Sequence, residues 1–215
     1  MSYSLNEVEA HSKRAARGAG LGWGLAEEAA KATRWLCAQN IDGCRVLTGV
    51  LEAHQDPACN LQTPISLVGE WLAEAGRLCP LHVGASLSDC ATLVGSNGVR
   101  IRALSHPLFI LPFVAAAARR AKTNLQVHWP GATMTTNGKT VDLATSTEAA
   151  FYIEQVEQVE IIVAPPLTKD ANQIGRARPS NRDWEKLNSF AALTYAPATE
   201  TSRRLGAGAG QSDND

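Results

Sequence analysis

With 215 residues, 45% of them hydrophobic and 19% charged, the sequence has material for one domain or two small ones with a buried core. A formal net charge of -1 provides no global field for nucleic acid or a membrane surface, so neither is an expected partner. Five cysteines (Cys37, Cys44, Cys59, Cys79 and Cys90), odd in number and without a C-x-x-C pair, exclude a disulfide framework and a closed zinc site.

The first third reads as helical. Ser4 and Glu7 form a capping box, Leu5, Val8 and Ala15 share a face, and the helix is expected to end at Gly18 with Lys13, Arg14 and Arg17 in its last turns. Next comes Arg17-Gly18-Ala19-Gly20-Leu21-Gly22-Trp23-Gly24-Leu25-Ala26-Glu27-Glu28, with glycine at every second position. Such a run suits turns and close backbone approach, but its spacing is not that of a dinucleotide fingerprint. Glu27 and Glu28 are read as occupying the first turn of the second helix, where they satisfy its dipole, and Trp23 as packing beneath the loop. Leu25, Ala29, Ala32 and Leu36 form that helix's stripe. Asp42 caps a third helix over residues 43–54, stopped by Asp56-Pro57, and Thr63-Pro64 opens a fourth carrying Leu67, Trp71 and Leu72 to Gly76.

The middle changes period. Residues 91–94 and 99–104 read as a hairpin across Gly95-Ser96-Asn97-Gly98, with Val99, Ile101 and Ala103 dry and Arg100 and Arg102 on a basic face. A helix opens at Ser105-His106-Pro107 and runs to about Lys122. Leu125, Val127 and Trp129 then alternate with Gln126 and His128, and residues 133–136 pair with 139–143 across Asn137-Gly138. Ser146 caps a short helix, 159–164 is a buried strand ended by Pro165-Pro166, and 167–180 is a polar connection carrying Lys169, Arg176 and Arg178. The last helix places Trp184, Leu187 and Ala191 on one face before the break at Tyr195-Ala196-Pro197. The expected fold is one α+β domain over 1–210: a mostly antiparallel sheet of about five or six strands covered by helices from both ends. Its parts are a helical segment 1–80, a sheet-rich segment 88–165 and a helical segment 180–206, followed by a disordered acidic tail, 211–215.

Both ends of the sequence carry a pattern. Arg17-Gly18-Ala19-Gly20 with Trp23-Gly24-Leu25-Ala26-Glu27-Glu28, and Tyr195-Ala196-Pro197-Ala198-Thr199-Glu200 with Ser202-Arg203 and Gly206-Ala207-Gly208-Ala209-Gly210, resemble an uncharacterised bacterial family known only as a domain of unknown function. The resemblance supplies no activity or cofactor. It implies a cytosolic bacterial protein in which both glycine-rich ends belong to one site.

Other chemistry is sparse. The five histidines include no i, i+4 pair, Gly84-Ala85-Ser86-Leu87-Ser88 is not a nucleophile elbow, and Cys79 near His82 reads as a buried, inert thiol. No metal site or cofactor is expected. The start Met1-Ser2-Tyr3-Ser4 is not a secretory signal, and the apolar stretch 108–118 is too short to cross a bilayer, so a cytoplasmic location is expected.

Two classes of function remain. In the first, an enzyme or binding protein takes a small amino-acid-like or organic-acid metabolite where the two ends meet, with Glu28, Glu200 and Tyr195 as acid or base and Arg17, Gly20, Gly22, Trp23, Glu27, Ser202 and Arg203 binding the ligand. In the second, a non-catalytic accessory or assembly protein uses the same ends as a subunit interface, self-association included. Two further expectations can be checked in space: Glu27 and Glu28 lie on different sides of their helix, and Arg17 or Arg203 pairs across the ends with Glu200 or Glu28.

Overall fold

The computed structural model describes residues 1–145, 147–167 and 173–195. A short strand, β1 (Tyr3–Ser4), leads into α1 (Leu5–Gly18), whose start is the expected reciprocal cap: Ser4 Oγ accepts from the Glu7 N–H while the Glu7 carboxylate accepts from the Ser4 N–H. Next come α2 (Trp23–Ala38) and α3 (Gly43–Gln55), the latter capped by the Asp42 carboxylate on the Arg45 N–H. Because α2 begins at Trp23, with Gly22 as its cap, Glu27 and Glu28 stand beyond the first turn and do not neutralise the helix end, contrary to the sequence reading.

The segment after α3 is not a fourth helix. It forms three two-residue strands, β2 (Leu61–Gln62), β3 (Glu70–Trp71) and β4 (Arg77–Leu78). Gly69, at φ +76°, turns the chain in mid-segment, and Trp71 is buried as a strand residue beside Ile101 while Leu72 stays partly exposed, so the apparent helical spacing never faced a common core. Helices α4 (Pro80–Asp89) and α5 (Ala91–Asn97) follow. The expected hairpin at 91–104 is therefore a helix and then a strand, β5 (Val99–Ser105). Asn97-Gly98 is a helix stop: Gly98 adopts φ +70°, and a Cβ there would lie 2.4 Å from the Ile161 carbonyl oxygen.

A 3-10 turn at Pro107–Ile110 leads into α6 (Leu111–Ala121), and the chain then builds β6 (Asn124–Trp129), β7 (Ala132–Thr136) and β8 (Val141–Thr145). The Asn137-Gly138 turn is present, although the paired register is Thr136 with Val141, and the Asn137 side chain accepts from the Lys139 and Thr140 amides. Short α7 (Glu148–Phe151) is capped by the Thr147 hydroxyl on the Ala150 N–H; Ser146, the cap expected from sequence, lies outside the described residues. Then come β9 (Gln155–Ala164), β10 (Arg176–Ala177) and α8 (Asn181–Ala192).

The large sheet has the order β2-β4-β5-β9-β6-β7-β8, with β3 also pairing with β5. Its body, β5 to β8, is antiparallel, and only the two-residue strands at one side pair in parallel. The fold is α+β as expected, with more strands than the sequence suggested. Ala103 holds φ +45° in mid-strand, so Ile101 and Leu104 both point inward, opposite Val159 and Val156. That left-handed alanine costs about 1–2 kcal/mol, offset by burial of four aliphatic side chains worth about 1.5–3 kcal/mol each. The other sheet face is polar: Arg100 pairs with Glu160 at 3.1 Å, Arg102 donates to Gln158, and His128 meets Thr133.

Helices α5 and α6 pack on the sheet, α2 packs on both α6 and α1, and α8 lies against α1 and α3. Sequence-distant helices thus form one layer. At the α1–α8 crossing Gly18 is indispensable, because a Cβ there would lie 1.7 Å from the Phe190 carbonyl oxygen. Tyr3 stacks on Trp184 with ring centroids 3.7 Å apart, and His11 covers the same indole. Among the described residues no helix is long and apolar enough to cross a membrane.

Candidate functional site

The residues singled out from sequence are placed as follows. Glu27 reaches back to Lys13 of α1 at 2.7 Å, and Glu28 pairs with Lys31 at 2.9 Å, so the two do diverge. Arg17 donates to the Leu21 carbonyl and lies 4.4 Å above the Trp23 ring, and the Arg17–Glu28 pair is not formed. Trp23 is not packed beneath the loop. It is 65% exposed, with the cationic groups of Lys13 and Arg17 across its face. Gly20, at φ +98°, and Gly22 have open space where a side chain would stand. Tyr195 is exposed, while Glu200, Ser202 and Arg203 lie outside the described residues. The two ends of the described chain do meet, through α1 on α8, but by aromatic stacking and the Gly18 contact.

A second joint between helices has a different character. Where α2 gives way to α3, the chain turns through Asn40 at φ +60°, and a cavity of about 580 Å³ opens beside it. Its wall combines Ser2, Cys37, Asn40, Asp42, Tyr152 and the stretch 174–179. Each contributor has a local reason to be there. Asp42 is fixed as the α3 cap, and its own N–H donates to Tyr152 Oη at 3.1 Å. Tyr152 closes the C-terminal end of α7, where the Arg45 guanidinium covers its ring at 4.1 Å while bonding Glu148 at 2.6 Å. The 174–179 stretch is anchored by the Ile174 N–H on the Ala38 carbonyl and by pairing of β10 with β1. Arg176 then donates twice to Ser2, and Arg178 makes no ion pair with any described residue.

The electrostatics of this cavity are unusual for the molecule. Burial raises the Asp42 carboxyl above its ordinary range despite the bond from the Arg45 amide, and burial likewise raises the Tyr152 phenol. The site therefore holds a carboxyl with an increased tendency to keep its proton, a phenol that resists ionisation, and two guanidiniums from the facing segment. Guanidiniums suit planar carboxylates, and a raised carboxyl beside a phenol can donate as well as accept. Among the described residues no three histidine, cysteine or carboxylate side chains gather as a metal-ligand set.

Sequence reading identifies Asp42 only as a cap and Arg176 and Arg178 as part of a polar connection, and it gives Tyr152 no role. Their convergence depends on contacts among residues 2, 37–42, 152 and 174–178, which no local period encodes. The available clue is Asp42, a cap wedged between two cysteines.

No curated protein and no solved structure matches the chain. Residues 3–79, which carry α1 to α3 and with them the glycine turn and the Cys37–Asp42 side of the cavity, match the family described as Protein of unknown function (DUF3726).

Proposed function

We propose that this protein binds a small organic-acid or amino-acid-like metabolite in the cavity at the α2–α3 joint, and that it does so in the bacterial cytoplasm. The observation that carries the reading is the meeting, in one cavity, of Arg176 and Arg178 with the partly buried Asp42 carboxyl and the Tyr152 hydroxyl. The guanidiniums take the ligand carboxylate, Arg178 being the one with no ion-pair partner among the described residues. Asp42 and Tyr152 face its amino or hydroxyl group and supply the acid–base pair that a reaction there would use. A thermal-shift screen with amino acids and organic acids tests this. A true ligand at 100 times its Kd stabilises the fold by about 2.7 kcal/mol, and Arg178→Ala and Asp42→Asn should each remove most of that shift. A panel in which no compound raises the Tm, or a shift that survives both substitutions, overturns it.

A second reading, an accessory protein that docks or self-associates through the glycine turn, is supported by Trp23 standing exposed among open-faced glycines. Its test is the mass in solution by light scattering. An oligomer dissociated by Trp23→Ala supports it, and a monomer at all concentrations removes self-association.

A further inference from the structure

A separate cluster of chemistry lies where β5 ends. Ser105 closes that strand, and His106 follows in the left-handed region, at φ +44° and ψ +61°, immediately before Pro107. Few non-glycine residues are held there, and such positions gather at functional sites. In this conformation the imidazole Nδ1 meets Ser105 Oγ at 2.8 Å. Three contacts fix the pose. The His106 N–H donates to the Glu154 carbonyl at 2.7 Å, the His106 carbonyl accepts from the Phe109 N–H at 2.9 Å, and the Nε2 edge lies against Gly49 of α3, where a Cβ would come within 2.5 Å. Ser105 and His106 both line a cavity of about 470 Å³ that shares no residue with the one at the α2–α3 joint. Ser105 is buried whereas Glu52, Glu154 and Lys186 on the same lining are exposed, so the cavity leads from solvent to the pair.

We propose that Ser105 and His106 are a nucleophile and its base, and that this cavity cleaves a small uncharged or cationic ester. With the imidazole proton on Nε2, Nδ1 accepts from the Ser105 hydroxyl, the arrangement that activates a serine. Ser105 Oγ attacks the ester carbonyl carbon while its proton passes to Nδ1. The bond to the leaving oxygen then breaks, and His106 returns the proton to the departing alcohol. Water attacks the acyl-serine in turn, giving a proton to Nδ1. The carboxylic acid leaves, and Ser105 recovers the proton. Lys186, held by Glu52 at 2.9 Å, is the lining's one lysine and the cation available to the oxyanion. The ester's charge class follows from Glu52, Asp56 and Glu154, three carboxylates on a lining with that single ammonium. Burial also lowers the imidazole's pKa, against the pull of Glu154 and Glu52, which keeps the ring neutral and able to take a proton. The proposal stands on the Ser105–His106 geometry and does not depend on the metabolite reading.

The test treats the full folded chain with diisopropyl fluorophosphate, an uncharged reagent that phosphorylates activated serines, and maps the tryptic peptides. Arg102 and Arg119 bracket the pair, and in the peptide Ala103–Arg119 Ser105 is the one hydroxyl-bearing residue. The expected product is that peptide carrying the diisopropylphosphoryl group. His106→Asn, a residue that tolerates the left-handed conformation, should slow the labelling about a hundredfold or more. Ser105→Ala should remove the hydrolysis of p-nitrophenyl acetate. The peptide map of the unsubstituted chain decides the matter even if a variant fails to fold. An unlabelled Ala103–Arg119 peptide would overturn the proposal, as would labelling at equal rate in urea-unfolded protein or in His106→Asn. Hydrolysis that survives Ser105→Ala, or faster cleavage of the anionic ester p-nitrophenyl succinate than of the acetate, would do the same.

Discussion

Two joints between helices, residues 18–24 and residues 37–45, are built by the same chain within a short distance and solve opposite problems. The first is rich in glycine and open: its charged groups are paired locally, and its one large side chain, Trp23, projects outward. The second has one glycine in close contact, two buried thiols and a partly buried carboxyl. Glycine density therefore marks where backbone geometry is permissive, whereas chemistry collects where titratable groups are confined with few partners.

Adding methyl groups along the first joint probes this contrast most severely. Gly18→Ala should be the largest effect, about 3 kcal/mol of lost stability or roughly 6–12 °C in Tm, because α8 must move to admit the new atom. Gly24→Ala, inside α2 with open space around it, should instead stabilise by about 0.5–1 kcal/mol. Equal melting of both variants would mean that α1 and α8 do not cross as described.

An intermediate effect is expected from acid. His11, His82 and His106, each at least partly buried, have their pKa lowered, with burial the leading cause in each, so the folded state favours their neutral form. Between their folded values and the ordinary imidazole value near 6.5, the unfolded chain binds more protons, and stability must fall as pH falls through that window. Asp42 acts in the opposite sense, its raised pKa favouring the fold as pH drops, but only across the lower range between its unfolded and folded values. Chemical denaturation at pH 7 and pH 5.5 should therefore show a lower midpoint at the acidic pH, and His11→Phe should reduce the difference. A midpoint that rises on acidification would contradict the burial of these rings.

The smallest effect should come from Trp23→Ala, within about 0.5 kcal/mol of the parent, since the ring has little to lose on exposure. A clear loss of stability would show that Trp23 is covered in solution.

Local signals are readable wherever one side chain answers one backbone group. Ser4 with Glu7, Asp42 on α3 and Asn137-Gly138 each satisfy nearby donors and need no knowledge of the rest of the fold. Residues 61–78 and 91–97 mislead because their outcome depends on Ile101 and Ile161, partners far along the chain. An apolar spacing such as Leu67, Trp71 and Leu72 has no meaning until a core chooses among its members. The antiparallel core at 125–143 is legible because alternation and turn chemistry agree. For the cavity, single residues are visible but their meeting is not, since Ser2, Tyr152 and Arg178 are joined only by tertiary contacts.

The pairing of β1 with β10 involves just two residues on each side, Tyr3 with Ala177 and Ser4 with Arg176. Such a fastening is held by few backbone bonds, unlike the ten-residue β9 at the centre of the main sheet. The two belong at opposite ends of the scale of local opening free energies. Because β10 is also a wall of the cavity, the protein can unlatch there while its core stays folded. Exchange of the proposed metabolite then becomes a matter of undoing a clasp, and hydrogen exchange should find the Ala177 amide among the first strand positions to lose protection and those of β9 among the last.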